Sequence, residues 1–83
     1  MVSPKAFEKA FKKIGIGEWH GKGRGRFYHE GYGVSFGTIQ EYGRFVAGLA
    51  KDPAFEWLIA HDPQIDDLGK GIIASWDVAL FTG

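Results

Sequence analysis

Near the N-terminus, apolar residues recur at three- and four-residue intervals. Phe7, Ala10, Phe11 and Ile14 fall on one helical face, and lysines fill the other. Ser3-Pro4 supplies a capping hydroxyl and a proline suited to the first turn, and Gly15 is a left-handed stop, so a helix is predicted over residues 4–14. A second helix starts at Thr38, which stands at capping-box spacing from Glu41. Its stripe is Ile39, Tyr42, Val46 and Leu49, with Phe45 and Ala50 beside it. Gly43 and Gly48 interrupt it, which predicts close approach of another backbone there. Asp52-Pro53 ends that helix and opens a third, with Phe55, Leu58 and Ile59 on its buried side and His61-Asp62-Pro63 as its stop. In the tail, Ile72, Ala74, Trp76, Val78 and Leu80 alternate as in a strand, although Ile72, Ile73, Trp76, Ala79 and Leu80 also fit a helix. Strand is the reading adopted, because a two-stranded hairpin alone is marginal.

The helical period fails between Gly15 and Gly37, where glycines alternate with large or charged side chains. An interior glycine disfavours a helix by about 1 kcal/mol relative to alanine, so the stretch must be strand, turn or loop. Arg24–His29 and Tyr32–Phe36 read as two strands about a tight turn at Glu30-Gly31. GKGRGR reads as a cationic loop, since it matches neither the dinucleotide nor the P-loop pattern. The expected fold is α+β, ordered α-β-β-α-α-β, with helices packed on a short antiparallel sheet. Asp62, Asp66 and Asp67 read as a solvated acidic loop.

The chain has 83 residues, which predicts one domain over 1–83, its core made dense by seven Phe, three Trp and three Tyr. Phe11, Phe45, Val46 and Trp76 are the expected core. Cysteine is absent, which excludes disulfides and thiolate metal sites and fits a reducing compartment. The N-terminus lacks a signal-peptide pattern and no window reaches 18 apolar residues, so a cytoplasmic protein without membrane contact is expected.

Charge changes this picture. Residues 1–29 carry seven Lys and Arg against two Glu, and residues 30–83 carry three cations against eight carboxylates, giving halves of +5 and −5. The basic half suits RNA or an acidic protein partner. Glu18, His20, His29, Glu30 and His61 show no metal-ligand spacing, and neither metal nor cofactor is expected. Ser3, Ser35 and Ser75 lack a nucleophile elbow. A metal-independent ribonuclease needs a base for the 2′-hydroxyl, an acid for the leaving oxygen and a cation for the phosphorane. His29, Tyr42 and Arg26 are the candidates for those roles. Trp19, Lys22, Arg24, Arg26, Tyr28 and Tyr32 are the candidates for contacting RNA or a protein.

The segment FYHEGYGVSFGTIQEYGRFVAGLAKDP, residues 27–53, resembles bacterial toxin ribonucleases of the barnase, EndoU, colicin and RelE type. His29, Gly37, Thr38, Glu41, Tyr42 and Ala47 carry the likeness. It implies a compact α+β ribonuclease with His29 as the acid/base residue, and by position Thr82 would supply a hydroxyl near the C-terminal strand. The sequence departs from the pattern at Tyr28, where a basic neighbour is usual, and no arginine follows Arg44. The alternative is a non-catalytic inhibitor of the kind carried by phages and other mobile elements. Such a module would bind a host or defence protein through its Tyr, Trp and Arg side chains, the residue types that dominate interface hot spots.

Overall fold

A computed structural model describes residues 1–23, 30–67 and 69–82. Its first element, α1 (Pro4–Ile14), begins as its cap predicts, with the Ser3 hydroxyl accepting from the Ala6 amide at 3.4 Å. Phe7 and Phe11 are buried, and Lys5, Lys9, Lys12 and Lys13 face solvent. Gly15 ends the helix in the left-handed region and donates to the Phe11 carbonyl.

Strand β1 (Glu18–Gly23) pairs antiparallel with β2 (Gly31–Phe36). This corrects the hairpin expected from sequence. The anticipated strand at Arg24–His29 lies outside the described residues, whereas Lys22 and Gly23, assigned to a loop, belong to a strand. Gly31 is already the first residue of β2 and pairs with Gly23, so the hairpin does not close on a two-residue turn at Glu30-Gly31. Two contacts make a strand of this polar stretch: the ladder to β2 and the Trp19 ring against Phe7 and Phe11. A register shift between Trp19 and Gly21 accommodates the extra residue His20. Just before β1, Gly17 has φ +87°, and a Cβ there would stand 2.5 Å from the Ser35 carbonyl oxygen, so only glycine fits.

In α2 (Ile39–Leu49) the Thr38 hydroxyl accepts from the Glu41 amide at 3.1 Å. Its buried residues are Phe45 and Leu49, whereas Val46 is half-buried, Ala50 is exposed and Ile39 is 55% exposed. The inner face is therefore rotated from the expected stripe toward Phe45. A 3-10 turn (Pro53–Phe55), capped by Asp52 on the Ala54 amide, runs into the single-turn helix α3 (Glu56–Ile59). Together they bury Phe55 and Leu58.

Strand β3 (Gln64–Asp67) was not expected: two of the three acidic residues assigned to a loop, Asp66 and Asp67, lie in an edge strand. Charged side chains there guard the free edge against pairing with other chains. Asp67 accepts from the Gly69 amide at 2.8 Å in the turn that leads to β4 (Ile72–Asp77). The sheet order is β1-β2-β4-β3, antiparallel throughout, and the element order is α-β-β-α-α-β-β. The α+β expectation is met, with one strand more than foreseen.

β4 is central and buried from Ile72 to Trp76, and the strand expected to run to Leu80 ends at Asp77. Asp77 then caps a 3-10 turn at Val78–Leu80 by accepting from the Ala79 amide at 2.8 Å. The helices reach the sheet through rings. Phe7 meets Trp19, Phe45, Phe55, Trp76 and Phe81, all with centroids within 6.3 Å, and Phe45 bridges Phe11, Phe36 and Trp76. Val2 and Phe81 form a parallel bridge that joins the two ends of the chain.

Candidate functional site

The residues singled out from sequence divide into four groups. Arg24, Arg26, Tyr28 and His29 lie outside the described residues. Trp19 and Tyr32 are half-buried and face the helices. Trp19 lies 5.5 Å from Phe7 and 5.7 Å from Phe11 between centroids, and Tyr32 packs 4.4 Å from Phe81. Lys22 is exposed on β1, opposite Tyr32. Tyr42 packs its ring on Phe36 at 5.8 Å, at the end of β2 remote from Gly31. Burial pushes its phenol above the ordinary range, and the carboxylate of Asp62 adds to the effect. Tyr42 is thereby held in its protonated, neutral form.

The polar candidates are engaged elsewhere. His20 Nε2 lies 2.7 Å from the Ser35 hydroxyl. His61 Nδ1 lies 2.8 Å from the Trp57 carbonyl, an acceptor only, so this nitrogen carries the proton, and its ring lies 4.5 Å from that of Trp57. Among the described residues, no group of three or more His, Asp or Glu is placed to hold a metal ion. No described helix is long and apolar enough to cross a membrane.

The feature that sequence reasoning missed is a groove of about 710 Å³ between α1 and α2. Ala10, Ile14, Ala47, Gly48 and Phe55 give it an apolar floor. Lys13, Arg44 and Lys51 stand exposed on its rim, and none of them is in an ion pair among the described residues. The single carboxylate in its lining among the described residues, Asp52, accepts from the Ala54 amide. The groove exists because the facing side chains are small. At Gly48 an added Cβ would sit 3.3 Å from the Ile14 side chain, so this glycine does mark close approach, of a side chain rather than a backbone. At Gly43 an added Cβ would meet nothing within 4 Å. The sequence places Lys13 and Arg44 one turn from Ala10 and Ala47 on their helices and Lys51 just past the second helix, but it does not say that the two helices face each other.

Compared with known protein families, curated proteins and solved structures, the chain has no match. Its function must be argued from its own surface.

Proposed function

We propose that this domain is a non-catalytic binding module that takes an acidic segment of a protein partner in the groove between α1 and α2. The observation that carries this reading is the combination of an apolar floor with a rim of three cations that form no ion pair among the described residues. An apolar side chain entering the groove gains from leaving water, roughly 1.5 to 3 kcal/mol for a fully buried Leu or Phe. Flanking carboxylates would meet Lys13, Arg44 and Lys51, whose field adds orientation and association rate more than affinity. Trp19 and Tyr32 are anchored against the core, which moves the expected contact surface from the glycine-rich hairpin to the helices.

The ribonuclease reading rests on His29 and Arg26, outside the described residues, together with Tyr42, whose raised pKa disfavours a role as base. A single set of measurements separates the two. A fluorescent peptide with a central Leu-Phe pair flanked by glutamates should bind saturably and lose affinity with added salt, since exposed charges are screened. The same peptide with lysines in place of glutamates should not bind. The double variant Lys13→Glu, Arg44→Glu should weaken the acidic peptide several-fold, each exposed pair being worth about 0.2 to 1 kcal/mol. Absence of saturable binding, or indifference to the double variant, sinks the groove reading. Cleavage of bulk RNA or tRNA by pure protein, abolished in His29→Ala, would establish the ribonuclease instead.

A further inference from the structure

A second groove, of about 440 Å³, opens where β2, β4 and β3 end, and its chemistry is the reverse of the first. Asp62 and Asp77 line it together with Glu30, and no Lys or Arg does so among the described residues. Ser75 pairs with Gln64 across β3 and β4 and lies two residues from Asp77 along β4, so these three side chains share one face of the sheet. Ser75 is only 5% exposed, yet it lines the groove, and its hydroxyl has no hydrogen-bond partner among the described residues. The hydroxyl itself is not enclosed, so a ligand in the groove can reach it and supply a partner. Among the described residues, the Asp62 side chain makes no hydrogen bond or ion pair either. Asp77 uses one oxygen on the Ala79 amide, and Gln64 donates its amide to Asp66 at 3.3 Å, leaving its carbonyl oxygen free to accept. The groove therefore presents acceptors: two carboxylates, a hydroxyl and an amide oxygen. Ala79 and Leu80 supply an apolar wall beside them.

We propose that this groove receives an arginine side chain from a protein partner, with the guanidinium among Asp62, Asp77, Ser75 and Gln64 and the aliphatic stem along Ala79 and Leu80. Guanidinium has five N–H donors in a planar fork and no acceptor, which matches an array that is rich in acceptors. Its stem is apolar and needs such a wall. The site is separate from the cationic groove and does not depend on the reading given for it.

The test uses the isotopically labelled full chain titrated with the capped tripeptide Gly-Arg-Gly, its Gly-Gln-Gly counterpart, and spermidine. The arginine peptide should produce saturable shifts concentrated at Gly31, Gln64, Ser75 and Asp77, and the glutamine peptide none. Asp62→Asn and Ser75→Ala should each weaken binding by about tenfold, as expected for loss of a charge-assisted partner. Asn and Ala fit both positions without new bulk, and unchanged shifts elsewhere in the spectrum will show that the fold is retained. No saturation by about 10 mM, above the millimolar range of weak single-site contacts, overturns the proposal. So do shifts scattered over all surface carboxylates, and so does binding of spermidine without the arginine peptide, which would make the ligand a free polyamine.

Discussion

The two grooves are built from different materials, and the difference explains where the charge of this protein resides. The groove between α1 and α2 is a gap between helices, floored by small residues and edged by Lys13 and Arg44, which their helices carry outward, and by Lys51 just past α2. The groove at the end of the sheet is a notch beside a strand, and Asp77 stands there because a short turn needs its cap. Lys13 and Arg44 thus ride on exposed helix faces, whereas Asp77 in the other groove serves the backbone before it serves a ligand. The basic groove draws on both halves of the chain, Lys13 from the first and Arg44 and Lys51 from the second, whereas Asp62 and Asp77 of the other groove both come from the second half.

Both grooves rest on one aromatic layer, since Phe7 touches Phe55 in the floor of the first and Trp76 in the lining of the second. Phe45, with no exposed surface, packs against Phe7 and Trp76. The largest expected effect is therefore that of Phe45→Ala, about 3 to 5 kcal/mol of stability, measured by chemical denaturation. Hydrogen exchange should rise in both grooves together. Exchange confined to one of them would show that the layer is not shared, and a loss below about 1 kcal/mol would remove Phe45 from the core.

A smaller pair of changes acts on the helical groove alone. Gly43→Ala, in open space, should stabilise α2 by about 0.8 to 1 kcal/mol through helix propensity. Gly48→Ala should gain less, because its methyl group must displace Ile14, and it should weaken the acidic peptide by making the groove shallower. Equal gains at the two sites would mean that α1 does not press on α2 at Gly48. Thermal unfolding of the two variants measures the difference.

The smallest effect reads the acidic groove from a distance. The pKa of Tyr42 is raised in the folded state, by burial first and by Asp62 second. Above the ordinary phenol range the unfolded chain loses this proton while the folded chain keeps it, so unfolding releases protons and stability falls as pH rises through that window. Tyr42→Phe should remove this part of the alkaline decline, and Asp62→Asn should lower the Tyr42 pKa toward the ordinary range. Absorbance titration of the tyrosines checks both, and an unchanged Tyr42 titration in Asp62→Asn would separate the carboxylate from α2.

What was legible in the sequence was local. Ser3-Pro4, Thr38 with Glu41, and Asp52-Pro53 each mark a boundary through contacts within four residues, and all three caps form. Strands β1 and β3 were not legible for the opposite reason. Glu18–Gly23 has two glycines and three charged or ring-bearing polar residues, and only its partners on β2, from Ser35 back to Gly31, make it a strand. Gln64–Asp67 is short and half acidic, so its composition resembles a loop, whereas its hydrogen bonds come from Ile72–Ser75. Both grooves needed the same distant information. Lys13 and Arg44 are thirty-one positions apart, and nothing in their spacing says that they face one gap. Of the ribonuclease set, Tyr42 is placed, while His29 and Arg26 fall outside the described residues.

The bridge between Val2 and Phe81 has a mechanical consequence. The Val2 amide donates to the Leu80 carbonyl at 3.1 Å, and the Thr82 amide donates to the Val2 carbonyl at 2.9 Å. Because the two segments run parallel, tension applied through residues 1 and 82 pulls them past one another along their length. Both hydrogen bonds then bear load together, in shear, instead of opening one after the other like a zipper. A single molecule stretched from these ends should hold until both give way at once, and Val2→Pro, which removes the donor to Leu80, should lower the rupture force while leaving the aromatic layer beneath unloaded.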